Sequence, residues 1–192
     1  MRAFRPTHQT VSEPRPLPPI DPARMKRMWS PWRSQHIERM SNRDAREPND
    51  GSVFTRMVTE NRDEEHFILW RGEHVFVIMN LYPYNNGHLM IVPYREVSEY
   101  GALTPEERIA VAETIARCMR WLDRALKPEG YNVGINQGLA AGAGIPQHLH
   151  VHVVPRWQAD TNFMPVVADV KVIPEALRDT YRKLRAAIEA LG

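Results

Sequence analysis

Between Gln147 and Pro155 the chain reads HLHVHVV, with His148, His150 and His152 two residues apart and Leu149, Val151 and Val153 as their neighbours. Successive side chains of an extended strand point to opposite faces. As a strand, the run therefore has one imidazole face and one aliphatic face, and the fold must cover the second while leaving the first beside a cleft. That requirement selects a sheet with helices packed on one side.

The cover is legible upstream. Thr104 can cap a helix, Pro105 suits its first position and Glu107 completes a capping box. Ile109, Ala112, Ala116, Met119 and Leu122 recur at three- and four-residue steps, which predicts one apolar face through Leu126. Cys118 and Trp121 on the same helix read as core or interface filler. His74 to Met79 and His88 to Val92 are β-rich runs joined by YPYNNG and predict a hairpin, while Tyr131 to Gln137 alternates as a strand adjacent to the histidine run. A last helix is expected from Pro174, burying Leu177, Tyr181, Leu184 and Ile188.

The 192 residues, 43% hydrophobic and 25% charged, suit one compact domain. Six prolines within the first 22 residues predict an unstructured tail over 1–24; an arm and loop carrying Trp29 and Trp32 follow over 25–51, and the domain proper spans 52–192. A net charge of +2 gives no reason to expect nucleic acid or an anionic membrane as partner. With one cysteine, no internal disulfide can form; neither a bilayer-spanning run nor a secretory signal is visible, so a soluble cytoplasmic protein is expected.

Three chemistries suit a strand face of three histidines: imidazoles satisfied by core hydrogen bonds, a tri-histidine metal site, or nucleotidyl and phosphoryl transfer. The loop GLAAGAG before the strand favours the last, because backbone N–H groups of Gly142, Ala143 and Gly144 can approach phosphate oxygens.

QHLHVHVV resembles the signature of the histidine triad (HIT) family, and NLYPYNNGHLMIVP resembles that family's earlier block at Asn80, Pro83, Gly87 and His88. The resemblance covers about residues 25–190. MWSPWRSQHI, NLYPYN, NVGINQG, HVHVVPRW and ADTNF are most similar to its diadenosine tetraphosphate phosphorylase and hydrolase branch. The resemblance implies an α+β HIT-like fold, a five-stranded antiparallel sheet with one long and one C-terminal helix, paired as a homodimer or higher oligomer. It implies His150 as a nucleophile forming a nucleotidyl-histidine, His148 and His152 as hydrogen-bond donors, and His88 as a fourth imidazole. Asn80 would bind ribose and Asn136 phosphate. Trp157 matches the same branch as a binding residue, with a packed aromatic as the other reading.

Two departures matter. Many bacterial relatives carry Cys-x-x-Cys where this chain has Ser52-Val53-Phe54-Thr55, so no structural zinc is expected. Gly144 stands where the hydrolases place a glutamine, which leaves room for inorganic phosphate as acceptor. No cofactor is required, although a divalent cation can accompany the substrate phosphates. The expected reaction is phosphorolysis of diadenosine tetraphosphate to ATP and ADP. The alternatives are hydrolysis of dinucleoside polyphosphates or nucleoside phosphoramidates, and a non-catalytic nucleotide-binding module.

Overall fold

A computed structural model describes residues 51–160 and 173–192. The tail expected over 1–24, the Trp29 and Trp32 arm and the end of ADTNF lie outside the described residues. The first element is α1 (Val53–Glu60), started by Ser52, whose side chain accepts from the Thr55 N–H, and stopped by Asn61 in the left-handed region at φ 53°. A single turn, α2 (Asp63–His66), leads into β1 (Ile68–Arg71). The hairpin follows as β2 (Val75–Met79) and β3 (Leu89–Pro93), paired residue for residue from Val75 with Pro93 to Met79 with Leu89.

Its turn is shaped by Gly87. The φ is +73°, and a Cβ there would come within 2.4 Å of Leu126 Cδ1, so only glycine lets the turn press onto the long helix. Two asparagines hold the turn from outside. Asn85 Nδ2 donates to the Pro155 carbonyl at 3.1 Å and to Asp160 at 2.8 Å, while Asn86 Oδ1 accepts from Thr180 Oγ1 at 3.0 Å.

The long helix is α3 (Pro105–Leu126), with both halves of the expected capping box: Glu107 N–H to Thr104 Oγ1 at 3.2 Å and Thr104 N–H to Glu107 Oε2 at 2.7 Å. Its buried face differs from the expected one. Val111, Thr114, Cys118, Trp121 and Leu122 are buried, whereas Ile109 is 64% exposed and Ala112 and Ala116 also face outward. The two stripes are centred roughly 130° apart around the helix, with Leu122 alone common to both. Volume sets the phase: Trp121 and Val111 bury more apolar area than alanines can. Glu107 and Thr114 masked that face in the sequence, and Glu107 is buried because the Arg95 guanidinium grips it at 2.6 and 3.0 Å.

β4 (Gly130–Ile135) and β5 (Val151–Arg156) complete a sheet ordered β1-β2-β3-β5-β4, antiparallel throughout. β5 begins at Val151, so His148 and His150 lie in the segment leading into it rather than within the strand as the sequence predicted, and it continues through Pro155, where the sequence predicted its end. The last helix, α4 (Leu177–Leu191), begins three residues later than expected and buries Tyr181, Leu184 and Ile188 as predicted, together with Thr180 and Ala187. Helices α3 and α4 share a core with Leu69, Val75, Val77, Met79, Leu89, Ile91, Val151 and Val153. The opposite sheet face buries Ile68, Phe76, Ile78, Met90 and Val92 with Phe54 of α1. No helix among the described residues is long and apolar enough to cross a membrane.

Candidate active site

The register puts Met90, His152 and Gly134 side by side on β3, β5 and β4, and laterally paired residues share a face. That face carries the triad. The ring of His150 lies 4.8 Å from that of His152, and Phe54 packs edge-on against His148 and His150 at 5.5 and 5.3 Å. Val151 and Val153 point into the helix-covered core, as the alternation requires. Beside His152, Gly134 leaves open space, because a Cβ there would meet nothing within 4 Å.

Hydrogen bonds fix which nitrogen of each ring carries hydrogen. His150 Nδ1 lies 2.9 Å from the His148 carbonyl, which can only accept, so Nδ1 is the N–H and Nε2 keeps its lone pair. Burial lowers the pKa of this imidazole below the ordinary 6.5, which keeps it neutral near pH 7. The result is a neutral ring with its lone pair at Nε2.

His148 is spent differently. Its Nε2 donates to the Pro93 carbonyl at 2.8 Å, so its Nδ1 accepts from Ser52 Oγ at 2.5 Å. The ring is fully buried. Both nitrogens are engaged inside the protein, so the expected role of His148 as a hydrogen-bond donor to substrate is not supported by this arrangement. Its backbone carbonyl instead orients His150.

The fourth imidazole joins at the other end. His88 Nδ1 receives the Tyr84 N–H at 3.1 Å, so its Nε2 carries hydrogen and donates to His152 Nδ1 at 2.9 Å. His152 is thereby left with an N–H at Nε2, a donor at the triad face. Burial, reinforced by the neighbouring imidazoles, pushes the His88 pKa down to about 3 and that of His152 to about 4. Asn136 Nδ2 lies 3.4 Å from His152 Nε2 and 3.3 Å from Tyr84 Oη; with the amide turned over, Oδ1 accepts from both groups. Asn80 sits against His88, with Nδ2 3.3 Å from its Nδ1 and Oδ1 accepting from Tyr82 N–H at 2.9 Å.

The loop before the triad is less open than the sequence implied. The Gly142 N–H closes onto the Leu139 carbonyl at 2.9 Å and the Ala143 N–H onto that of Gly138 at 3.3 Å, and Ala143 is buried. Turn formation thus occupies two of the three amides expected to face phosphate; Gly144 follows them half-exposed. Trp157 is not brought to the triad. It lies five residues beyond His152, past the far end of β5, where its indole N–H donates to the Lys127 carbonyl at the end of α3 at 3.2 Å.

Sequence reasoning missed Ser52, Phe54, Tyr84 and Gly134 as site residues. For Gly134 a signal existed: Asn132, Gly134 and Asn136 alternate onto one strand face, with the bare position in the middle. Around Ser52, Thr55 Oγ1 donates to Glu96 Oε2 at 3.1 Å and the Ser52 N–H donates to the same oxygen at 2.8 Å. These hydroxyls offer no thiolate and are committed to hydrogen bonds, so the set does not fit a structural zinc. Among the described residues no group of three or more His, Cys, Asp or Glu is placed to hold a metal.

Comparison with known proteins adds an independent line. The HIT domain family model matches residues 61–159. The AP-4-A phosphorylase of Mycobacterium tuberculosis (strain ATCC 25618 / H37Rv) is 42% identical over 163 residues, covering 83% of this chain and 83% of that protein. The asymmetrical bis(5'-nucleosyl)-tetraphosphatase of Schizosaccharomyces pombe is 30% identical over 93 residues, covering 48% of this chain and 50% of that protein. A zinc-bound histidine triad family protein from Mycobacterium smegmatis shares the fold with a TM-score of 0.60 at 25% identity, covering 73% of this chain and 94% of its own.

Proposed function

The chain belongs to the HIT domain family, and from that premise we propose that it is an enzyme that cleaves dinucleoside polyphosphates, splitting diadenosine tetraphosphate with inorganic phosphate into ATP and ADP. The observation that carries this reading is the free Nε2 lone pair of a neutral, buried His150, held by a backbone carbonyl. The likeness to an AP-4-A phosphorylase along most of both chains supports the choice of substrate and acceptor.

In the proposed reaction, His150 Nε2 attacks the α-phosphorus, the bridging P–O bond breaks and ATP leaves, with an adenylate on the imidazole. The Nδ1–H stays on the His148 carbonyl, whose oxygen stabilises the positive charge the ring acquires. The His152 Nε2–H, backed by His88 and the Tyr84 amide, exchanges its long 3.4 Å contact to Asn136 for the negative charge developing on phosphate oxygen. An oxygen of inorganic phosphate then displaces the imidazole, the P–N bond breaks and ADP forms. The bare face at Gly134 leaves room for the nucleotide, and the missing side chain at Gly144 suits the incoming phosphate. The reading needs no metal from the protein; a divalent cation would arrive with the substrate phosphates.

We place the working form in the cytoplasm as a homodimer. Val133 on the outer strand β4 is 42% exposed, and Ile109, Ala112 and Ala116 form an outward apolar stripe on α3; both are surfaces a second copy can cover. Light scattering should give twice the chain mass.

Products measured with and without inorganic phosphate test the reaction. ADP and ATP appearing only with phosphate is the expected result; phosphate-independent release of AMP and ATP would make the protein a hydrolase. His150→Asn should lower kcat by roughly 10³-fold or more while nucleotide binding persists.

A further inference from the structure

We propose that Ser52 is a positioning residue for this chemistry: its hydroxyl locks the His148 ring and, through the His148 carbonyl, holds the nucleophilic ring of His150. The inference rests on the transfer reaction proposed above, with respect to which Ser52 touches no reacting atom. A hydroxyl has one hydrogen, and the geometry says where it goes. Ser52 Oγ accepts the Thr55 N–H at 3.2 Å, and it lies 2.5 Å from His148 Nδ1, which must accept because Nε2 is committed to the Pro93 carbonyl. Ser52 is 2% exposed, so water does not compete for the bond.

The serine is itself held. Its backbone N–H and the Thr55 hydroxyl both donate to one oxygen of Glu96, three residues beyond the Pro93 that takes the other side of His148. His148 is therefore pinned between the start of α1 and the segment leaving β3. Phe54, two residues after Ser52, contributes the ring that packs against His148 and His150 together. Without the hydroxyl, His148 Nδ1 is a buried acceptor with no donor, and it cannot take up hydrogen as a neutral ring without surrendering the Pro93 bond. The ring must tilt or charge, and the carbonyl that supports His150 moves with it.

Ser52 also caps α1, so the test separates capping from positioning. Ser52→Ala should lower kcat about 10- to 100-fold with KM changed less than about twofold, and the imidazole ¹⁵N shifts of His148 should lose the pattern of a hydrogen fixed on Nε2. Ser52→Thr, which keeps the donor, should restore both. Thr104→Ala, which weakens the cap of α3, should lower the melting temperature with kcat intact. If Ser52→Ala folds poorly, Ser52→Gly removes the hydroxyl at a position where glycine is tolerated as a cap. Either variant behaving like Thr104→Ala, with unaltered His148 shifts, would overturn the proposal. Wild-type protein that fails to cleave dinucleoside polyphosphates would instead sink the reaction, while the ¹⁵N shifts still decide the role of Ser52.

Discussion

His150 owes its reactivity to having one nitrogen committed and one free. Protonation of Nε2 would remove the nucleophile, and burial holds its pKa below 6.5, so the acid limb of kcat/KM should lie below pH 6.5 and the profile should be flat from there to neutrality. A limb centred at or above 6.5 would contradict the buried, carbonyl-held ring. A second expectation concerns the empty position beside His152. Gly134→Val places a β-branched side chain where a Cβ meets nothing within 4 Å on the triad face, so it should raise KM at least about tenfold without lowering the melting temperature; unchanged KM would show that the nucleotide lies elsewhere. The nucleophile was legible in the sequence from its alternation with apolar neighbours, although β5 itself begins at Val151, one residue after His150. The role of His148 was not, since it depends on partners 96 and 55 positions away, and no local pattern encodes such contacts. For the same reason the amides of Gly142 and Ala143 looked available until the turn that uses them was seen.

Among the elements, β2, β3, β4, most of β5 and the N-terminal cap of α3 followed from period, turn chemistry and capping signals, which are all local. The phase of α3 did not, because apolar residues occur all around it and the winning stripe is set by what the sheet presents. Trp121 is 2% exposed and packs on Trp70 at 5.9 Å. Trp121→Ala should therefore destabilise the fold by about 3–5 kcal/mol, whereas Glu113→Gln at an exposed position of the same helix should change stability by less than about 0.5 kcal/mol. Denaturant titrations of the two variants decide between the observed phase and the expected one. β1 and the short helices before it escaped the sequence reading because Ile68–Arg71 is only four residues long and its pairing with β2 is broken by a bulge.

For the whole molecule, four imidazoles are buried against one sheet, and all four have pKa values lowered by burial before any other cause. Below pH 6.5 the unfolded chain takes up protons that the folded chain refuses, so stability is lost as pH falls from 6.5 toward about 3, where His88 at last titrates in the folded state. Urea unfolding at pH 7 and pH 5 should give a clearly lower midpoint at pH 5, and replacing His88 and His152 together by non-titrating residues should flatten the difference. The fold thus tolerates an acid-labile centre in exchange for uncharged rings at neutral pH.

The paired asparagines before Gly87 tie this centre to the end of the chain. Asn85 grips Asp160 and Asn86 grips Thr180, and the next residues are the glycine and His88 itself. The terminal helix, though remote from any reacting phosphorus, acts as a splint for the hairpin bend, so a truncation that spares every imidazole would still be felt as a slackened His88 and a weaker donor at His152.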